Sequence, residues 1–198
     1  MRRILLACFA CLAPITLHAQ WRLALLHGSA NSHGDAQADI DPEHPELHAE
    51  RPATWTFSLA RGIGAWRIEV GMHRTSADLA EVGGTSRIST NGVLAAWGTG
   101  IELTRRVAGR AGSTALLAGA GVTIDRWTFD LVDASPRTRW AARGVLEVDL
   151  PITPKWGAVI RGELLFGPSV FQSAELPEGF STRAATRLGL VLGVARSW

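Results

Sequence analysis

The C-terminal segment RLGLVLGVARSW alternates with a period of two. Leu188, Leu190, Leu192, Val194 and Arg196 fall on one side of the alternation, while Gly189, Val191, Gly193, Ala195 and Ser197 fall on the other. Successive side chains of an extended strand point to opposite faces, so the segment predicts a β-strand with one bulky apolar face and one small face. The two environments those faces meet decide what the chain can fold into.

The same alternation recurs along the chain in eight segments, 21–27, 53–61, 65–74, 92–104, 113–125, 140–150, 156–167 and 182–198. Short connections at 62–64, 105–112 and 151–155 alternate with longer ones at 28–52, 75–91, 126–139 and 168–181. In the third segment Trp66, Ile68, Val70 and Met72 oppose Arg67, Glu69, Gly71 and His73. In the seventh, Trp156, Ile160, Leu164 and Phe166 oppose Arg161 and Glu163. A soluble barrel would bury the apolar rows, but its lumen would then hold all the bulk and its outside the glycines. Eight apolar rows facing water would far exceed the patch a soluble monomer tolerates. Lipid outside and a narrow polar lumen inside account for both faces at once. The expected fold class is therefore all-β, an eight-stranded antiparallel up-and-down transmembrane β-barrel in the bacterial outer membrane.

The N-terminal MRRILLACFACLAPITLHA fits this location. A basic start, an apolar run too short to span a bilayer and Ala19 before Gln20 predict a signal peptide over 1–19 and a barrel domain over 20–198. A lipoprotein signal ending at Cys8 is the alternative. Removal of 1–19 takes away both cysteines, Cys8 and Cys11, and leaves 18 basic against 18 acidic residues. The mature chain then has no thiol chemistry, and its balanced charge gives no reason to expect a nucleic-acid partner.

Tryptophan placement points the same way. If the short connections are periplasmic, Trp21, Trp66, Trp156 and Trp198 sit at the periplasmic strand ends and Trp55, Trp127 and Trp140 at the outer ends, which predicts two aromatic girdles. Trp97 alone falls inside a strand. The leader, the eight strands and the terminal aromatic residue together resemble the small eight-stranded outer-membrane β-barrel proteins, the OmpA-type and OmpX-type membrane domains. That resemblance is one of pattern over the whole mature chain. It implies recognition of the C-terminal strand by the barrel-assembly machinery, and outer-membrane lipid and lipopolysaccharide as surroundings of a monomer. Arg196 departs from the pattern, since an apolar or aromatic residue is usual there, and it is expected to snorkel to the headgroups.

Eight strands leave an interior just wide enough for side chains to fill. Arg67, Glu69, Glu102, Asp125, Arg143, Glu147, Asp149, Arg161, Glu163 and Arg187 are the expected lumen charges, forming an ion-pair network that plugs it. A turn centred on Thr153 would place Arg143 opposite Glu163 and leave Arg161 to reach Glu147 diagonally. The segment 27–50 carries His27, Ser29, His33, Asp35, His44 and His48. His27 and Ser29 form a His-x-Ser pair similar to that of outer-membrane lipid A deacylases, but no matching Glu accompanies it, and no spacing there is diagnostic of a metal site. No catalytic residue, metal or cofactor is expected. The functional expectation is a non-enzymatic barrel with a structural or surface-interaction role. A conduit for small or apolar solutes and a lipid A-modifying hydrolase are the alternatives.

Overall fold

The computed structural model describes residues 20–38, 45–83, 86–110, 112–130 and 135–198. The expected signal peptide 1–19 and His44 lie outside these residues. The strands are β1 (Gln20–His33), β2 (Ala36–Ala38), β3 (Glu46–Ile63), β4 (Trp66–Gly83), β5 (Ser86–Gly109), β6 (Ala115–Phe129), β7 (Arg137–Pro151), β8 (Trp156–Gly167), β9 (Phe180–Thr182) and β10 (Ala185–Ser197). All pairings are antiparallel. Because β1 pairs with both β10 and β3, eight strands close into a ring in the order β1-β10-β8-β7-β6-β5-β4-β3. The short strands β2 and β9 pair with each other above one end of it.

Closure removes every sheet edge, which is the condition for placing a sheet in hydrocarbon. The outer surface satisfies the other condition. Leu188, Leu190, Leu192 and Val194 are all about half exposed or more, and the same holds for Val70 and Met72 on β4 and for Leu164 and Phe166 on β8. From Trp156 to Phe166 the outward row runs roughly 33 Å along the strand, or about 25 Å of membrane normal at the tilt of such barrels.

One end has tight connections. Ile63 pairs with Trp66, so β3 and β4 are joined by Gly64 and Ala65 alone, and Gly64 takes the positive φ of 62° that a two-residue hairpin asks of glycine. The start of β1 and the end of β10 meet here, with the Trp21 and Trp198 amides and carbonyls exchanging 3.1 Å hydrogen bonds. At the other end the strands outrun the expected boundaries. The segment 75–91, read as a long loop, instead continues β4 to Gly83 and begins β5 at Ser86. Where the two strands continue, Ala77 and Leu94, partners across the pair, are buried in an apolar cluster that covers this end, and Leu79 packs against it.

Candidate functional site: a charge network across the lumen

Alternation turns inward the odd residues of β4 from Arg67 to Ala77 and those of β7 and β8, together with the even residues of β1 from Arg22 onward and of β5 from Leu94 to Thr104. The register then decides which charges meet. Glu69 and Glu102 stand directly opposite on β4 and β5, an arrangement that repels if nothing intervenes. Arg161 intervenes. It comes from β8, diametrically across the ring from β4, and its Nη2 lies 2.8 Å from Glu69 Oε1 while Nη1 lies 3.3 Å from Glu102 Oε1. Its Nε donates to Glu147 Oε2 at 2.5 Å. One guanidinium thus holds three carboxylates, and it is fully buried.

Glu147 gathers the rest. Arg67 Nη2 donates to it at 2.6 Å, and Arg22 Nη2 lies 3.1 Å away. Both arginines also hold Asp149, at 3.1 Å and 2.5 Å. Arg143 hydrogen-bonds Glu163 and approaches Glu102 at 3.7 Å. Four arginines and five carboxylates from β1, β4, β5, β7 and β8 therefore make one continuous network across the barrel. Asp125 and Arg187 lie apart from it. Asp125 accepts or shares a 2.7 Å bond with His73 Nε2, and a Cβ at Gly98 would collide with both groups. Arg187 stacks 4.7 Å from the Trp127 ring centroid.

The turn between β7 and β8 corrects the expected pairing. Pro151 pairs with Gly157, which centres the connection on Pro154 rather than Thr153. The Thr153 hydroxyl accepts the amides of Lys155 and Trp156 at 3.3 and 3.0 Å, leaving the apex to proline, which has no amide to donate. Moving the centre by one residue moves each partner by two, so no side chain changes face. Glu147 thereby faces Arg161 directly, while Arg143 and Glu163 meet on the diagonal.

Arg22 belongs to this network, and His73 lies beside it in the lumen with Asp125, although the sequence reading places neither among the lumen charges. His73 shares its face with Arg67 and Glu69, so parity alone could have found it. Arg22 had no such signal, because β1 mixes Leu26 on the lumen side with Leu23 and Leu25 outside.

The network divides the interior. On the side of Gln20 and Ser197 the lumen opens as a cavity of 430 Å³ bordered by Arg22, Arg67 and Asp149. On the other side, next to His73, Asp125 and Arg143, lies a cavity of only 40 Å³. Above it an apolar cluster of Leu47, Leu94, Trp127, Val170 and Phe171 covers the end of the barrel. The segment carrying Val170 and Phe171 is tied down from β7. Arg139 donates to the Ser169 carbonyl at 2.7 Å, and Arg137 engages Glu175 through both terminal nitrogens. Asp35 Oδ1 accepts the Val170 amide at 3.0 Å.

Six of the seven expected girdle tryptophans, Trp21, Trp55, Trp66, Trp140, Trp156 and Trp198, turn outward. Trp127 does not. It is 1% exposed, inside the capping cluster, because it shares the parity of Asp125 on β6. Trp97 takes the outer position, 58% exposed and level with Trp55 through Arg74, which pairs with both. His27 and Ser29 also face outward. His27 stacks on Trp55 at 4.2 Å, and its Nδ1 lies 3.1 Å from the Thr54 carbonyl. Among the described residues the bonded partner of the ring is this carbonyl and not a carboxylate. Among the described residues no group of three or more His, Cys, Asp or Glu side chains is placed to hold a metal ion.

No protein-family model matches the sequence, and no curated protein matches it either. The fold does have solved counterparts. Neisserial surface protein A superposes with a TM-score of 0.58 at 13% identity, over 91% of this chain and 97% of that one. The outer membrane protein OprG from Pseudomonas aeruginosa gives 0.57 at 12% identity, over 91% and 95%. At these identities the likeness is one of fold, that of the small eight-stranded outer-membrane β-barrels.

Proposed function

We propose that this chain is a non-enzymatic barrel of the bacterial outer membrane, monomeric among phospholipid and lipopolysaccharide, with a structural or surface-interaction role. In this reading the charged lumen is a plug rather than a passage. The observation that carries it is Arg161, fully buried and bonded to carboxylates of β4, β5 and β7 at once. A solute crossing the barrel would have to strand several of those charges in a confined space. The capping cluster on one side of the network supports the same conclusion.

The apolar outer face and its tryptophan rows support the membrane location, and the fold shared with Neisserial surface protein A and OprG is in keeping with it. Insertion would follow recognition of the C-terminal strand by the barrel-assembly machinery. The test is fractionation of cells expressing the full chain, with boiled and unboiled gel samples compared. Recovery in the outer membrane with a heat-dependent shift in migration is expected. Recovery as a soluble periplasmic protein would overturn the reading.

A further inference from the structure

The rim at which Trp21 meets Trp198 repeats one motif at three places around its outer face. Trp21 stands directly opposite Arg61 across β1 and β3, Trp66 opposite Arg105 across β4 and β5, and Trp156 opposite Arg196 across β8 and β10. In each pair the guanidinium lies over the indole, at 5.3, 5.5 and 5.7 Å from the ring centroid. A guanidinium stacked in this way is fixed by its face and presents its N–H edge to what lies beside it.

The charge around these pairs is of one sign. In this half of the barrel every described acidic side chain, Glu69, Glu102, Glu147, Asp149 and Glu163, points into the lumen and is engaged by the arginines there. The rim's other charges are Arg106, Arg110 and Lys155, together with the terminal carboxylate of Trp198. Among the described residues the opposite rim has one comparable pair, Arg74 over Trp97 at 5.4 Å, in a hairpin that also carries Asp78 and Glu81.

We propose that the three Trp–Arg pairs are binding positions for anionic phospholipid headgroups of the periplasmic leaflet. This rests on the reading that the barrel spans the outer membrane with the rim of Trp21 and Trp198 on the periplasmic side. The indole lies at the boundary between acyl chains and headgroups, where tryptophan is favoured. The adjacent guanidinium offers a planar fork matched to a phosphate diester, and arginine occupies all three places. A lipid whose phosphate charge is not cancelled by an ammonium group gains most from such a rim.

The full mature chain, inserted into nanodiscs of equal phosphatidylglycerol and phosphatidylcholine and released in mild detergent, should retain phosphatidylglycerol about fivefold over phosphatidylcholine by native mass spectrometry. The triple variant R61Q/R105Q/R196Q should lose that preference, and R61K/R105K/R196K should keep only part of it, because an ammonium keeps the charge but not the planar fork. All three positions face outward, so the lumen network is untouched and the heat-dependent gel shift verifies folding of each variant. Equal retention of the two lipids by the wild type, or an undiminished preference in the glutamine variant, would overturn the proposal alone. Failure of the wild type to insert into any such bilayer would overturn the membrane reading, and the proposal with it.

Discussion

Glu147 and Arg161 face each other directly across β7 and β8, with Nε 2.5 Å from Oε2 and neither residue exposed. Removing one member strands the other, so Arg161→Met should cost about 3–5 kcal/mol. Arg161→Met combined with Glu147→Leu should cost clearly less than the two single changes added, because no unpaired charge then remains between β7 and β8. Equilibrium urea unfolding from lipid vesicles measures all three. Additive losses would show that the pair is not a coupled unit.

Trp97 and Trp127 should respond oppositely to lipid. Brominated acyl chains quench indoles in contact with them, so Trp97→Phe should remove a quenched component of the emission. Trp127→Phe should remove an unquenched one, since that ring is 1% exposed inside the cap. The reverse assignment would contradict the register of β5 and β6.

The cap should loosen in acid. The Arg137 guanidinium, hydrogen-bonded to Glu175, holds its carboxyl below the usual glutamate value of 4.5. A carboxyl lowered on folding stabilises above its unfolded value and loses that contribution as the pH falls through the folded one. Burial pushes Asp35 the other way, above 3.8, so its contribution is present below that value and is lost as the pH rises through the raised one. Through Glu175, limited proteolysis within 168–184 should quicken as the pH falls below about 4.5. Glu175→Gln should abolish that step, and a step that survives in Glu175→Gln would assign it elsewhere.

The barrel and its faces were legible in the sequence because a period of two is unambiguous where one face is lipid. Rows such as Trp66, Ile68, Val70 and Met72 leave no alternative parity. What alternation cannot supply is distance along a strand. The Glu147–Arg161 pairing depends on where the Thr153 hydroxyl sets the turn, and the three-carboxylate grip of Arg161 depends on strands diametrically opposed in the ring. Trp127 was misplaced for another reason. Position near a strand end suggested a girdle, whereas its parity with Asp125 already placed it inside.

Single-channel recording in planar bilayers tests the plugged lumen most directly. The wild-type barrel should insert without any steady conductance step, and the double variant Glu147→Ala with Arg161→Ala should give a measurable one, because it removes the side chains that join β4, β5, β7 and β8 at the middle of the lumen. A large, steady conductance from the wild-type protein would contradict the account and make the barrel a conduit.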